Sequence, residues 1–109
     1  MGRDDWTLMA EPQLCVTVAG PTMEDLRRSR DAASDADLVE LRLDLVDRPD
    51  VAGAIQGRRT PVIVTCRAQW EGGRFDGSEE DRRRILESAA DRGAEYVDVE
   101  AAAAFAPDA

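Results

Sequence analysis

The 109-residue chain contains no histidine and no lysine, and all 14 of its basic residues are arginine. A histidine general base and a lysine Schiff base are therefore unobtainable from these residues. Cysteine is scarce, with only Cys15 and Cys66. Two distant cysteines without histidine do not make a zinc site, and no metal is expected. Each cysteine falls in a strand-like apolar run, so both read as buried, reduced thiols rather than a disulfide. Long apolar runs are missing as well, none approaching the ~20 residues of a membrane span. The start, Met1-Gly2-Arg3-Asp4-Asp5-Trp6, is too acidic for a signal peptide, and Trp6 breaks a myristoylation pattern. A cytoplasmic location is the expectation. Positive charge is in deficit, 14 basic against 23 acidic residues for a net charge of -9. That balance speaks against nucleic acid or anionic membrane as partner, while leaving room for a locally basic pocket that takes a small acid.

What remains is 43% hydrophobic and 34% charged, the composition of a globular chain of one domain or less. Residues 1–13 form a polar lead-in. Leu14-Cys15-Val16-Thr17-Val18 reads as a first strand, closed by Ala19-Gly20-Pro21. Thr22 and Asp25 open a helix with capping-box spacing, and it runs to about Ala33. A second strand covers roughly Leu38 to Leu43, and a short helix Val51 to Ile55. Val62 to Arg67 forms a third strand, followed by a long loop from Ala68 to Gly77. Ser78 and Asp81 cap the longest helix, Glu79 to about Arg92, and Gly93 suits its left-handed C-terminal turn. Tyr96 to Glu100 is a fourth strand. The alanine-rich stretch 101–109 has the composition to start a further helix but is interrupted by Pro107.

Helix thus follows strand throughout, which implies parallel strands joined by right-handed crossovers. The second strand, Val39-Glu40-Leu41-Arg42-Leu43-Asp44, alternates apolar and charged residues with the two-residue period of a β-strand. A parallel sheet is normally covered on both faces, so a row of charges needs a reason, and a polar site in a barrel mouth supplies one. The same parity puts Leu14, Val16, Val18, Val39, Leu41, Leu43, Val62, Val64, Cys66, Val97 and Val99 on the helix-packing face. Cys15, Thr17, Glu40, Arg42, Ile63, Thr65, Arg67, Tyr96, Asp98 and Glu100 fall on the other. The polar groups gather toward the C-terminal strand ends, where barrels and open α/β sheets carry their sites. The expected fold is α/β, a partial (β/α)8 barrel of about four parallel strands and three helices.

Taken singly, each residue also has a plain structural reading. Glu40 and Arg42 suit an ion pair at a sheet end, and Arg67 a solvated strand end. Thr17 is more often a satisfied hydroxyl than a ligand contact. Glu71-Gly72-Gly73 suits a flexible turn, and it lacks the spacing and the lysine of a phosphate-binding loop. Arg82-Arg83-Arg84, set among acids, reads as a solvated helix face.

Taken together, the stretches from Leu14 to Glu100 resemble the N-terminal part of type I 3-dehydroquinate dehydratase. The most specific portion is the Glu-x-Arg-x-Asp strand, Glu40 to Asp44, followed by Thr65-Cys66-Arg67 and Glu71-Gly72-Gly73. The resemblance implies a (β/α)8 barrel that converts 3-dehydroquinate to 3-dehydroshikimate and water in the shikimate pathway. It implies no metal or organic cofactor and, for the full-length family member, a homodimer; fusion to shikimate dehydrogenase also occurs in the family. Glu40, Arg42 and Arg67 would bind the substrate ring, and Thr17 would line the same pocket. Glu71 would support the catalytic histidine. In the family that histidine and the imine-forming lysine lie on later strands. A full barrel takes about 250 residues, so residues 14–109 are expected to be its truncated N-terminal half, inactive alone. The alternative is a non-catalytic half-barrel acting through a partner or self-association.

Overall fold

The computed structural model describes residues 13–99. The lead-in before Gln13, Glu100 and the alanine-rich stretch lie outside the described residues. Four strands, β1 (Cys15–Val18), β2 (Leu38–Arg42), β3 (Val62–Thr65) and β4 (Tyr96–Asp98), form one parallel sheet in the order β1-β2-β3-β4. Three helices, α1 (Met23–Ala32), α2 (Val51–Ile55) and α3 (Glu79–Asp91), fill the connections. This is an α/β arrangement consistent with part of a (β/α)8 barrel, because each strand pairs with the next in sequence.

Local chemistry explains where the helices start and stop. Thr22 accepts from the Asp25 backbone N–H at 3.1 Å, and the Asp25 carboxylate accepts in return from the Thr22 N–H, a complete capping box. Ser78 caps α3 by accepting from the Asp81 N–H at 3.0 Å. At the far end of α3, Gly93 adopts φ +91°, and the N–H groups of Gly93 and Ala94 donate to the carbonyls of Ala90 and Ala89. Glycine enters that left-handed turn without a Cβ clash, and both bonds satisfy carbonyls the helix leaves over.

The three helices bury their apolar stripes against one face of the sheet. Leu26 of α1, Ala54 and Ile55 of α2, and Leu86 and Ala89 of α3 join Val39, Leu41, Leu43, Val62, Val64 and Cys66 in a continuous core. All six of those residues from β2, β3 and the turns that follow them are fully buried, as the two-residue alternation requires. The core is aliphatic and close-packed, so its main role is to fix the strands that carry the opposite face.

Several expectations are corrected. Leu14 is 56% exposed and contributes nothing to the helix-packing face, and Cys15 is exposed rather than buried. Both precede or begin β1, which among the described residues is an edge strand of the sheet. β2 ends at Arg42, where Leu43–Leu45 turn into one 3-10 turn, and β3 ends at Thr65. The loop from Ala68 to Gly77 is not featureless: Gln69–Glu71 form a second 3-10 turn, and Ala68 bridges to Phe75.

Candidate functional site

The register of the sheet places the inward side chains in two rows. Thr17 stands beside Glu40, which stands beside Ile63 and then Tyr96. One level further toward the C-terminal ends, Arg42 stands beside Thr65, which stands beside Asp98. Residues directly opposite in a parallel sheet point to the same side, so the pairing itself collects five polar side chains on one face. Thr17, Glu40, Arg42 and Arg67 all lie on this inner face or at its upper edge.

Glu40 is the centre of the lower row. Its Oε1 accepts from the Thr17 hydroxyl at 2.8 Å and its Oε2 from the Thr65 hydroxyl at 2.7 Å. One threonine is exposed and the other fully buried. The carboxylate is therefore held from both flanking strands and retains lone pairs toward the open face.

Arg42 does not pair with Glu40. The 3-10 turn after β2 folds Asp44 back beside it, and Arg42 Nε and Nη2 donate to Asp44 Oδ1 and Oδ2 at 2.9 and 2.7 Å. The Asp44 side chain is wholly buried, while that of Arg42 is 19% exposed. Burial works to raise the Asp44 carboxyl. Hydrogen bonds from the Arg42 guanidinium and from the backbone N–H groups of Arg67 and Arg74, with the charge of Arg42, outweigh it, so the net shift is downward. The hydrogen bond to Asp44 in turn raises the pKa of Arg42. Asp44 thus ties the end of β2 to the loop after β3, since the Arg74 N–H reaches Asp44 Oδ2 at 3.2 Å.

Arg67 donates from Nη2 to Asp98 Oδ2 at 2.8 Å, with both side chains about one-third exposed. Glu71 is exposed on the 3-10 turn, and among the described residues no hydrogen bond joins it to Thr17, Glu40 or Arg42. The Gly72-Gly73 pair that follows is a shaped turn rather than a flexible one. Gly72 takes φ +86°, and the Gly73 N–H donates to the Ala68 carbonyl at 2.8 Å. A Cβ at Gly73 would run into the Arg67 carbonyl, so the close return of the loop onto Arg67 requires glycine there.

The arrangement brings two arginines and three carboxylates to the C-terminal ends of the strands, each held by a partner from a different strand or turn. Such an array suits a small, hydroxyl-rich acid, which takes hydrogen bonds from guanidinium groups and gives them to carboxylates. Among the described residues no group of three or more Cys, Asp or Glu side chains lies close enough to hold a metal ion, and no helix is long and apolar enough to cross a membrane. The reading by residue type overlooked two participants. Asp44 was visible as the last member of Glu-x-Arg-x-Asp, and Asp98 by its parity, but neither spacing reveals which guanidinium it takes.

A family model for type I 3-dehydroquinase matches residues 14–108. The chain is 38% identical over 92 residues to a 3-dehydroquinate dehydratase of Desulfotalea psychrophila, covering 84% of this chain and 41% of that protein. It is 34% identical over 97 residues to one from Coxiella burnetii, covering 85% and 42% respectively. A bifunctional 3-dehydroquinate dehydratase/shikimate dehydrogenase, chloroplastic, of Arabidopsis thaliana is 36% identical over 93 residues, 76% of this chain and 15% of that protein. The chain therefore spans about two-fifths of the length of the single-function relatives.

Proposed function

The chain belongs to the type I 3-dehydroquinase family, and from that premise we propose that it forms the substrate-orienting part of a 3-dehydroquinate dehydratase. The observation that carries this reading is Glu40, held between Thr17 and Thr65 beside the Arg42–Asp44 and Arg67–Asp98 pairs. Glu40, Arg42 and Arg67 hold the hydroxyl-rich ring of 3-dehydroquinate by charge-assisted hydrogen bonds, and Thr17 lines the same pocket. Holding the ring in one pose is itself catalytic, because it removes the orientational freedom that the reacting groups would otherwise have to lose.

The chemistry then needs two groups that these 109 residues do not contain. A lysine amine condenses with the substrate ketone and releases water, giving an iminium. A histidine removes the neighbouring proton, and the electron pair of that C–H bond moves toward the iminium nitrogen to form an enamine. The enamine expels the hydroxyl group, which leaves as water with a proton returned by the histidine. Hydrolysis of the remaining imine releases 3-dehydroshikimate and restores the amine. Both groups come from outside this chain, whose Glu71 supports the histidine from the loop after β3. Residues 14–109 are in this reading the N-terminal half of the barrel, inactive alone, and the assembled enzyme is a cytoplasmic homodimer that uses no metal or organic cofactor.

The test is a pair of assays on the purified chain. 3-Dehydroquinate raises its melting temperature while gluconate does not, and Arg42→Met and Arg67→Met each abolish that protection. Formation of the conjugated enone product is undetectable with the chain alone. Protection by both acids alike, or turnover by the chain alone, overturns the proposal.

A further inference from the structure

Arg83 and Arg84 fit the expectation of a solvated helix face. Their side chains are 48% and 71% exposed, and they pair along α3 with Glu87 and Glu80. Arg82 does not fit. It lies on the buried stripe of α3 with Leu86 and Ala89, and none of it is exposed. Elsewhere on that stripe packing is done by apolar side chains, whose removal from water is favourable. A buried guanidinium loses its hydration, and is tolerated only where directed bonds replace the water.

Among the described residues, Arg82 bonds to the first turn of its own helix and to the end of β3. Arg82 Nε and Nη2 grip Glu79 Oε2 and Oε1 at 2.9 and 2.8 Å, and Nη1 donates to the Cys66 carbonyl at 3.1 Å. The Trp70 ring lies over the guanidinium at 5.7 Å, within cation–π range, and Trp70 Nε1 donates to Glu79 Oε2 at 3.4 Å. Cys66 immediately precedes Arg67, and Trp70 immediately precedes Glu71. The hydrogen bond from Arg82 also holds the Glu79 carboxyl below its ordinary value against the opposing effect of burial, with a lesser contribution from the Trp70 hydrogen bond.

We propose that Arg82 is a positioning residue for the substrate site. Through the Cys66 carbonyl and Trp70 it holds residues 66–75 in the conformation that presents Arg67 and Glu71 at the C-terminal edge of the sheet. The inference rests on the reading above, in which those two side chains serve the dehydratase site. It assigns the first turn of α3 a role beyond packing, since a purely apolar contact at this position would bury area without orienting the strand end.

The experiment uses the 109-residue chain and its Glu79→Gln and Arg82→Met variants. Glu79 is 42% exposed at its side chain, so Glu79→Gln loosens the grip on Arg82 without emptying the core, and it decides the matter if Arg82→Met fails to fold. Trypsin cleavage after Arg74, in the loop, is measured relative to cleavage after Arg28, which requires α1 to open. Binding of 3-dehydroshikimate is followed by NMR titration. The expected result is that each variant raises the Arg74-to-Arg28 cleavage ratio about tenfold and weakens 3-dehydroshikimate binding about tenfold, while the melting temperature of Glu79→Gln stays near that of the parent. A cleavage ratio and affinity unchanged in Glu79→Gln, or a change that merely tracks melting temperature, overturns the proposal. If the parent chain binds no 3-dehydroshikimate, the dehydratase reading fails, and the cleavage ratio alone still decides whether Arg82 positions the loop.

Discussion

Asp44 carries more of the site's geometry than its place at the end of a strand suggests. Its oxygens accept from Arg42 Nε and Nη2 and from the Arg74 backbone N–H, so removing its charge releases an arginine and a loop together. Asp44→Asn leaves the Arg42 charge behind. Because the Arg42 side chain is 19% exposed, that charge regains part of its hydration, and the loss should sit at the lower end of the range for broken buried pairs, about 3 kcal/mol. The pH dependence follows from the direction of the shift. The Asp44 carboxyl is net lowered in the fold, so its contribution is complete above the ordinary carboxylate value of about 3.9 and is lost as pH falls through the lower folded value. Urea unfolding of parent and Asp44→Asn chains should therefore show a constant difference from pH 7 down to the ordinary carboxylate value of about 3.9, narrowing below it. A difference that shrinks already near neutral pH would show that another group governs the pairing. The carboxylate itself was readable in Glu-x-Arg-x-Asp, but its partner was not. Strand parity puts Glu40 and Arg42 on one face and makes them look like a pair, and only the 3-10 turn after Arg42 shows that Asp44 takes the guanidinium instead.

At the scale of elements, the alternation of β2 and the apolar run of β3 were legible because burial on the helix side leaves no polar residue among Val39, Leu41, Val62 and Val64. The Thr22 cap and the Gly93 turn were legible because few residues satisfy those backbone positions. Arg82 was not. Helical spacing places it in step with Leu86 and Ala89, yet charge among charges reads as surface, and a buried arginine is recognisable only once the Cys66 carbonyl and Trp70 are seen beside it. The loop of residues 68–77 was similarly opaque, since two adjacent glycines indicate freedom without saying which one needs it. The structure separates them. Gly72 holds φ +86° with open space around it, whereas a Cβ at Gly73 meets the Arg67 backbone. Gly72→Ala should cost about 1 kcal/mol for the left-handed conformation alone. Gly73→Ala must push the loop off β3, breaking the Phe75 N–H bond to the Arg67 carbonyl, and should cost about 3 kcal/mol. Equal losses in urea unfolding would mean that the loop does not return closely onto Arg67.

At the scale of the molecule, the helices among the described residues all lie on one side of the sheet. All three helices pack on the face of Val39 and Val64, while Cys15 and Thr17 are exposed and Tyr96 is 60% exposed on the other. Among the described residues β1 and β4 each pair along a single edge. Parallel sheets are ordinarily buried on both faces, and an unpaired edge offers N–H and C=O groups to any further strand. For the purified 109-residue chain one such strand is that of another copy. Opposing this is the net charge of -9, which repels a second copy until salt screens it; the screening length falls from about 10 Å at 0.1 M to about 3 Å at 1 M. Self-association should therefore rise with both protein concentration and salt in sedimentation velocity. A monomer at every salt concentration would contradict the argument. Salt alone does not identify the surface, because acidic helix faces would also meet more readily when screened. Tyr96→Asp separates the two cases: it adds charge to the open face at β4 and leaves the helices untouched. It should suppress association at high salt with the far-UV circular dichroism unchanged, whereas contact through the helices would leave association as it was.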